Sequence, residues 1–377
     1  MGVQLEKVQA EAVTLIEDWY KKKSKQNFVL AGLAGTGKTT IVKYFMDKLK
    51  IHPDDVAFVA FTGKAALVLT SMGTPATTIH KLIYKIEEDK DGKLLFSKNT
   101  QIYPNIKLIV VDEASMVSDE IQRDLESFKV PIVYIGDHGQ LPPVNGVNSL
   151  MMNPNIKLEK IHRQAEGNPI IFLAKLARLG AKIPYRHFSD KVVKIAMKDV
   201  TPNLLTSVDQ VLCGKNVTRN KLNQRIRTII GYTGTKVQVK DRVICLRNNW
   251  QLGYINGMTG IVQNVLPFDR MAIDPKDGWR YHVDQLAFNI ATDYNDEMLY
   301  NIPFDMGVFT QQVPPDMSNR CIEPFDYAYA ITVHKSQGSQ YSTAMVIEEH
   351  LGNPALHAKW LYTAITRAAN GLILVGK

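Results

Sequence analysis

The chain has 377 residues, 45% apolar and 22% charged, with 45 lysines and arginines against 37 acids for a net charge of +8. This is room for about two to three domains with sizeable cores, and it excludes a disordered tail or a collagen-like fibre. No run of about 18 apolar residues occurs, which excludes a spanning helix. Cys213, Cys245 and Cys321 stand far apart, which argues against a disulfide framework or a CxxC metal site and fits a reducing, cytoplasmic compartment.

The opening MGVQLEKVQAEAV is mixed in charge and lacks the apolar core of a signal peptide. Leu5 to Trp19 is amphipathic and runs into the lysines between Lys21 and Lys25. Apolar runs at FVLAG, VAFVAFT, IKLIVVD and VPIVYIGD follow, separated by helical or polar spans. Such short Val- and Ile-rich runs are what a parallel sheet buried on both faces requires, so residues 1–156 predict an α/β open sheet. Residues 84–105 interrupt it, and Asp91-Gly92 between two short runs signals a hairpin. Residues 157–231 read as helix-rich and basic, with 15 basic groups against 5 acids. Residues 232–323 change to short strands punctuated by Gly and Asn (KVQVKDRVICL, GMTGIVQNVL, WRYHVDQLAF), the spacing of a small antiparallel barrel. From FDYAYAITVHKSQGSQ the chain returns to strand–helix–strand and ends in GLILV, so the barrel reads as an insertion in a second α/β domain.

GLAGTGKTT, residues 32–40, follows the strand FVLA and precedes the amphipathic run IVKYFMDKL. This is GxxxxGK[ST] in the context its mechanism demands. Glycines let backbone N–H groups close around phosphate oxygens at a helix N-terminus, Lys38 reaches the β/γ-phosphates and Thr39 ligates Mg²⁺. Asp112 and Glu113 end the strand IKLIVVDE side by side, at the sheet edge where ligands of open α/β folds bind. Asp112 suits Mg²⁺, and Glu113 suits orienting or deprotonating an attacking water. Two acids beside a P-loop predict hydrolysis rather than nucleotide binding alone.

VPIVYIGDHGQLPPV, AYAITVHKSQGSQY and WLYTAITRAA then follow the P-loop and DEAS in order. Together these motifs resemble superfamily-one DNA helicases of the RecD-like subgroup, most of all the compact phage Dda-type enzymes. The resemblance covers essentially the whole chain. It implies an α/β fold of two RecA-like domains, residues 1–156 and residues 157–231 with 324–377. It also implies a strand-separating pin at about 84–105 and a small SH3-like β-barrel inserted at 232–323. The implied cofactors are ATP and Mg²⁺. The implied activity is a 5′→3′ translocase on single-stranded DNA that unwinds duplex by opening and closing a cleft.

The resemblance also distributes roles. Gln9 matches the glutamine that reads adenine, although a helix-surface glutamine is an alternative. Gly32, Ala34, Gly35, Thr36, Gly37, Lys38, Thr39 and Thr40 match the phosphate loop, and Gln337 and Gly338 match the second domain's nucleotide motif. Gln140 matches the γ-phosphate sensor, and Arg163 and Arg367 match arginines that reach the γ-phosphate. A guanidinium suits that task because it is always charged and presents a planar fork to phosphate oxygens. Thr62, Lys64, Thr78 and His80 match first-domain contacts to the single strand; Thr332, His334 and Lys335 match those of the second. Asn216, Arg219 and Asn223 match a further second-domain motif. Phe96 is the implied wedge of the pin, with packing on its own domain as the alternative. Trp250 and Tyr254 fit core or hinge packing better than base stacking. Gln340 and Ala369 depart from the family pattern, where an acid and a lysine are usual.

The expected partners are single-stranded and forked duplex DNA, with replication or recombination proteins besides, and the chain is expected to act as a monomer. An RNA helicase of the related branch and an ATPase that only regulates grip on DNA stand as alternatives at this level.

Overall fold

Val- and Ile-rich segments pair into the first sheet of the computed structural model, which describes residues 5–71, 73–88, 94–143, 146–160, 167–247, 256–273, 280–293, 298–304, 306–311 and 324–376. The strands are β1 (Asn27–Gly32), β2 (Val56–Ala60), β3 (Ala76–Thr78), β6 (Leu108–Asp112), β7 (Ile132–Gly136) and β8 (Ile156–Leu158). Their order is β3-β2-β6-β7-β1-β8, and every pairing is parallel. Alternation along the strands serves two cores. Phe28, Leu30, Val110 and Val133 face Ile16 and Trp19 of α1 (Lys7–Lys22) and Ile41 and Phe45 of α2 (Lys38–Leu49). Val29, Ile109 and Val111 face Ile79 and Ile83 of α4 (Ile79–Ile83) and Leu125 of α5 (Asp119–Glu126). Each such side chain, fully buried, contributes about 1.5–3 kcal/mol. A short α3 (Gly63–Ser71) follows β2. The α/β expectation for this region holds, except that the sheet runs through β8 to Leu158 rather than ending at 156.

Between α4 and β6 the chain forms a separate two-stranded antiparallel ribbon, β4 (Tyr84–Glu88) with β5 (Leu94–Lys98). The Asp91-Gly92 turn lies outside the described residues. The base of the ribbon is fixed to α5, where the Tyr84 hydroxyl donates to Asp124 and Lys98 lies 3.4 Å from the same carboxylate, and to α4, where Asn99 N–H donates to Ile83 O at 2.8 Å.

Two compact units divide the chain, Met1–Met197 with Gln337–Lys377, and Lys198–Ser336. Besides the first sheet, the first unit contains β9 (Arg186–Ser189), β10 (Val192–Ala196), β18 (Tyr341–Ile347) and β19 (Ala368–Gly376), in the order β18-β19-β10-β9. The β18–β19 and β19–β10 pairs are parallel, and β9 is antiparallel to β10. Against them lie α6 (Pro169–Arg178) and α10 (Pro354–Ile365), both starting with an asparagine cap and a proline in the first turn.

The second unit contains the parallel pair β11 (Gln210–Cys213) and β17 (Ala330–Thr332), with α7 (Pro202–Thr206) and α8 (Asn216–Ile229). It also contains a wholly antiparallel five-stranded sheet. Its strands are β12 (Arg242–Cys245), β13 (Thr259–Ile273), β14 (Arg280–Thr292), β15 (Met298–Phe304) and β16 (Phe325–Tyr327), followed in chain order after β15 by α9 (Met306–Phe309). An aromatic core holds the sheet: Phe288 stacks on Phe304 at 4.4 Å and meets Phe325 edge-on at 5.0 Å, while Phe309 meets Tyr327 at 4.9 Å. This core explains one departure from expectation. The segment FDY, read as the start of the returning α/β part, instead pairs with β12, because Phe325 and Tyr327 complete the aromatic cluster. A buried ion pair, Arg227 to Asp241 at 2.9 Å, ties α8 to the entry of the sheet.

Cys213 and Cys245 are buried, and Cys321 lies outside the described residues. Among the described residues no helix is long and apolar enough to cross a membrane.

Candidate nucleotide and nucleic-acid site

The loop from Leu33 to Gly37 joins β1 to α2 at the C-terminal edge of the parallel sheet. Gly35 and Gly37 adopt positive φ, 78° and 77°, a region L-side chains enter at a penalty. Gly37 is the N-cap of α2 and brings no side chain to cap the first-turn N–H groups, the arrangement that anion-binding helix starts use. A Cβ at Gly32 would stand 2.8 Å from Thr36 Oγ1. Thr36 Oγ1 donates to Leu33 O at 2.7 Å. Lys38 Nζ donates to Gly32 O at 2.8 Å and Leu33 O at 3.1 Å, so the ammonium lies folded over the loop. Gln9 is buried and donates to Thr36 O at 3.0 Å while accepting from Glu6 N, which locks α1 onto the loop. Thr40 is partly buried in the first turn of α2, and the side chain of Thr39 lies outside the described residues.

Asp112 ends β6 beside this loop, its Oδ1 accepting from Glu113 N at 2.9 Å. Glu113 has φ 52°, a left-handed conformation that is uncommon outside glycine and gathers at functional sites. Burial raises the pKa of both carboxyls; Lys38 pulls both back, and Arg367 pulls Glu113 back most strongly. Gln140 is 6% exposed; its Nε2 reaches Asp137 Oδ2 at 3.4 Å and its carbonyl oxygen is buried with no partner. Arg367 is 6% exposed and donates to Thr363 O, Ser339 O and Thr366 Oγ1 at 3.1–3.3 Å. Gln337 donates to Leu141 O at 3.3 Å, and Gly338, at φ 73°, packs against Thr62. Thus Gln9, Lys38, Asp112, Glu113, Gln140, Gln337 and Arg367 converge at one sheet edge. Arg163 lies outside the described residues.

The acid pair could share a divalent cation with the hydroxyl expected at Thr39. Among the described residues no cluster of three or more protein ligands exists. One or two protein oxygens plus substrate phosphates and water are how Mg²⁺ is usually held, so these residues fit it.

The residues expected on the DNA track are spread over both units, and several hydroxyls serve their own backbone. Thr62 Oγ1 accepts from Ala65 N, and Thr78 caps α4 by accepting from Lys81 N. Lys64 is 8% exposed, its ammonium 5.2 Å from the ring centre of Tyr341. His80 sits between Phe61 and Tyr84, where burial lowers its pKa and keeps it neutral. In the second unit, Thr332 ends β17, and His334 and Lys335 lie in the single turn after it. Burial likewise lowers the pKa of His334. Asn216 opens α8 and Arg219 pairs with Asp326 at 2.7 Å. Asn223 bridges Tyr327 O and both backbone groups of Ala330, an architectural role. The ribbon pairs Phe96 with Ile86, with the side chain of Phe96 outside the described residues. Trp250 and Tyr254 lie outside them altogether.

Sequence reasoning missed Asp137, Thr363 and Tyr362. Asp137 Oδ1 accepts from Gly139 N at 2.9 Å and its Oδ2 accepts from the Tyr362 hydroxyl at 2.7 Å. Thr363 Oγ1 accepts from Leu141 N at 2.9 Å. The signal was present in GDHGQ, where an acid three residues before the glutamine can order the turn that carries it.

A family model described as an AAA domain matches residues 4–185, and one described as a UvrD-like helicase C-terminal domain matches residues 327–375. The ATP-dependent RecD2 DNA helicase of Deinococcus radiodurans is 26% identical over 92% of this chain and 46% of its own length. The ATP-dependent DNA helicase Pif1 of Campylobacter jejuni is 22% identical over 91% of this chain and 87% of its own length. The dda helicase of Enterobacteria phage T4 is 29% identical over 35% of this chain and 32% of its own. The chain spans less than half the length of three curated relatives it matches, at 46%, 36% and 35%. A solved structure of two Pif1 helicases at forked DNA superposes with a TM-score of 0.58 at 21% identity, covering 99% of this chain and 92% of that one. Bacteroides Pif1 bound to single-stranded DNA gives 0.53 at 20% identity with the same coverage. These two likenesses establish the fold. By sequence, the chain is similar to the RecD2, Pif1 and dda DNA helicases.

Proposed function

We propose that the chain is an ATP- and Mg²⁺-dependent DNA helicase that translocates 5′→3′ on single-stranded DNA and unwinds forked duplex. The observation that carries this reading is the convergence of a phosphate loop, two half-buried acids, a buried glutamine and a buried arginine at one sheet edge. The names of the RecD2, Pif1 and dda relatives support it. Mg²⁺, held by Thr39 and Asp112, would neutralise phosphate charge. Lys38 would exchange the Gly32 and Leu33 carbonyls for β/γ-phosphate oxygens. Glu113 would orient the attacking water and take its proton, with the Gln140 carbonyl as a second acceptor. Arg367, together with Arg163, would turn from carbonyl oxygens to the γ-phosphate, and arginine fingers contribute about 10³–10⁵ in rate.

We assign residues 1–158 and residues 159–231 with 328–377, the expected bounds adjusted for β8 and β16, to two RecA-like domains whose cleft opens and closes with the nucleotide. The ribbon at 84–105 is assigned as the pin and the sheet within 232–323, extended to β16, as an SH3-like barrel. Thr62, Lys64, Thr78, His80, Thr332, His334 and Lys335 are the proposed single-strand track, which needs His80, Thr62 and Lys64 to rearrange from their present partners.

The test is steady-state ATP hydrolysis with and without single-stranded DNA or RNA, paired with unwinding of 5′- and 3′-tailed duplexes. Stimulation by DNA, unwinding of the 5′-tailed substrate, and loss of turnover in Lys38→Ala are expected. Stimulation by RNA alone would move the substrate to RNA, and turnover retained in Lys38→Ala would refute the phosphate-loop reading.

A further inference from the structure

One buried hydroxyl on α10 touches both loops of the nucleotide site. Tyr362 is 2% exposed; its oxygen accepts from Ala34 N of the phosphate loop at 2.8 Å and donates to Asp137 Oδ2 at 2.7 Å. Only a group that is donor and acceptor at once can make both bonds, so a phenyl ring cannot replace it. Asp137, 1% exposed, spends its other oxygen on Gly139 N and also faces the Gln140 amide. The ring lies so close to the turn that a Cβ at Gly139 would stand 2.9 Å from Tyr362 Cε1. The next residue, Thr363, holds Leu141 N by its hydroxyl and Arg367 Nε by its carbonyl. Phosphate loop, Gln140 turn and Arg367 are therefore joined through two consecutive residues of one helix.

We propose that Tyr362 is a positioning residue for ATP hydrolysis, its hydroxyl clamping the phosphate-loop backbone at Ala34 to Asp137 and so setting Gln140 and Arg367 in register with the phosphates. The catalytic half of this proposal rests on the ATPase reading above; the clamp itself does not. Tyr362 acts through Ala34 N and Asp137 and is not a catalytic residue. Losing its hydroxyl leaves the part-buried Ala34 N–H without its partner and Asp137 Oδ2 with only the long contact from Gln140 Nε2 at 3.4 Å, so the loops shift or loosen while the phenyl ring keeps the core filled.

The test compares wild type with Tyr362→Phe at a temperature well below both melting transitions. Amide hydrogen exchange over residues 33–36, without nucleotide, reads the clamp. Exchange about tenfold faster in the variant is expected, and unchanged exchange would overturn the proposal whatever the enzyme's activity. The kinetic arm is ATP hydrolysis at saturating single-stranded DNA. Here kcat should fall about ten- to a hundredfold with KM within about threefold, since the hydroxyl holds only Ala34 N among the N–H groups of the loop. Faster exchange with kcat within about twofold of wild type would leave a structural bond with no positioning role, and would overturn it too. Asp137→Asn and the double variant complete a cycle: a combined loss well below the product of the single losses is expected, and a full product would mean the two residues act separately. A wild-type chain that does not hydrolyse ATP at all would refute the ATPase reading instead, with the clamp still judged by exchange.

Discussion

Lys335 lies in the turn after β17, half-buried, with the Arg219–Asp326 pair beside it. Burial lowers its pKa, Arg219 lowers it further, and Asp326 and Cys245 offset part of this, leaving the ammonium at about 8 rather than 10.5. The sign for stability follows. Below about 8 the charge is present folded and unfolded alike, and its burial weighs against the fold; between about 8 and 10.5 the unfolded chain binds more protons, so stability rises with pH. For DNA the sign is opposite, because a phosphate contact needs the charge. Single-strand affinity, followed by fluorescence anisotropy, should fall about tenfold as pH rises through 8, and stay flat over that range in Lys335→Arg. The same decline in both proteins would remove Lys335 from the track. At this scale the sequence displays chemistry that is local: GLAGTGKTT and the Asp112-Glu113 pair announce themselves within a few residues. It cannot display the Tyr362–Asp137 bond, whose partners are 225 residues apart, and a tyrosine in WLYTAI reads as core. Nor can it show that Thr62 and Thr78 hydroxyls already serve as helix caps, since any threonine before a helix has that option.

Among the elements, the β4–β5 ribbon has an anchored base. Asp124 of α5 receives Tyr84 and Lys98 from opposite strands, so the carboxylate pins the two feet together. Two-stranded ribbons are marginal alone in water, and this attachment supplies what a third strand would. A post fixed at its foot is suited to stand against a duplex end. Phe96→Ala should lose most fork unwinding while keeping DNA-stimulated hydrolysis within about twofold, because a pin acts on the duplex end and not on the nucleotide. Equal unwinding by variant and wild type would end the pin assignment. The four central strands of the first sheet were legible because each is a continuous apolar run, whereas the edge strands β3 (ATT) and β8 (IKL) are too short and too polar to announce themselves. The β16 segment misled for a related reason. FDY and the following AYAIT form one apolar stretch, yet Phe325–Tyr327 belongs to the antiparallel sheet and Ala330–Thr332 to a parallel pair. Nothing in the hydropathy marks the change of partner; the aromatic cluster around Phe288 decides it.

For the whole molecule the charge ledger looks different once pairs are counted. Residues 157–231 carry 15 basic groups against 5 acids. Four of those bases are matched to acids outside the segment: Lys160 to Glu6, Lys194 to Glu348, Arg219 to Asp326 and Arg227 to Asp241. The field available to a polyanion is therefore weaker than composition implies and rests on exposed groups such as Lys198, Lys221 and Arg225. A motor must also let go of each phosphate it grips, so a modest number of contacts suits translocation better than a dense basic stripe. Single-stranded DNA releases counterions at roughly 0.7 per phosphate neutralised, and about three to five contacts give a slope of log affinity against log salt of roughly −2 to −3.5. Titrations between about 50 and 200 mM salt should return that slope at pH 7. The pair Lys221→Ala with Arg225→Ala tests whether α8 belongs to the track: a slope shallower by about 1.4 places both on the phosphates. An unchanged slope would confine the grip to the β17 turn and the first unit, and a flat response in the unmodified protein would mean that binding does not run through the phosphate backbone.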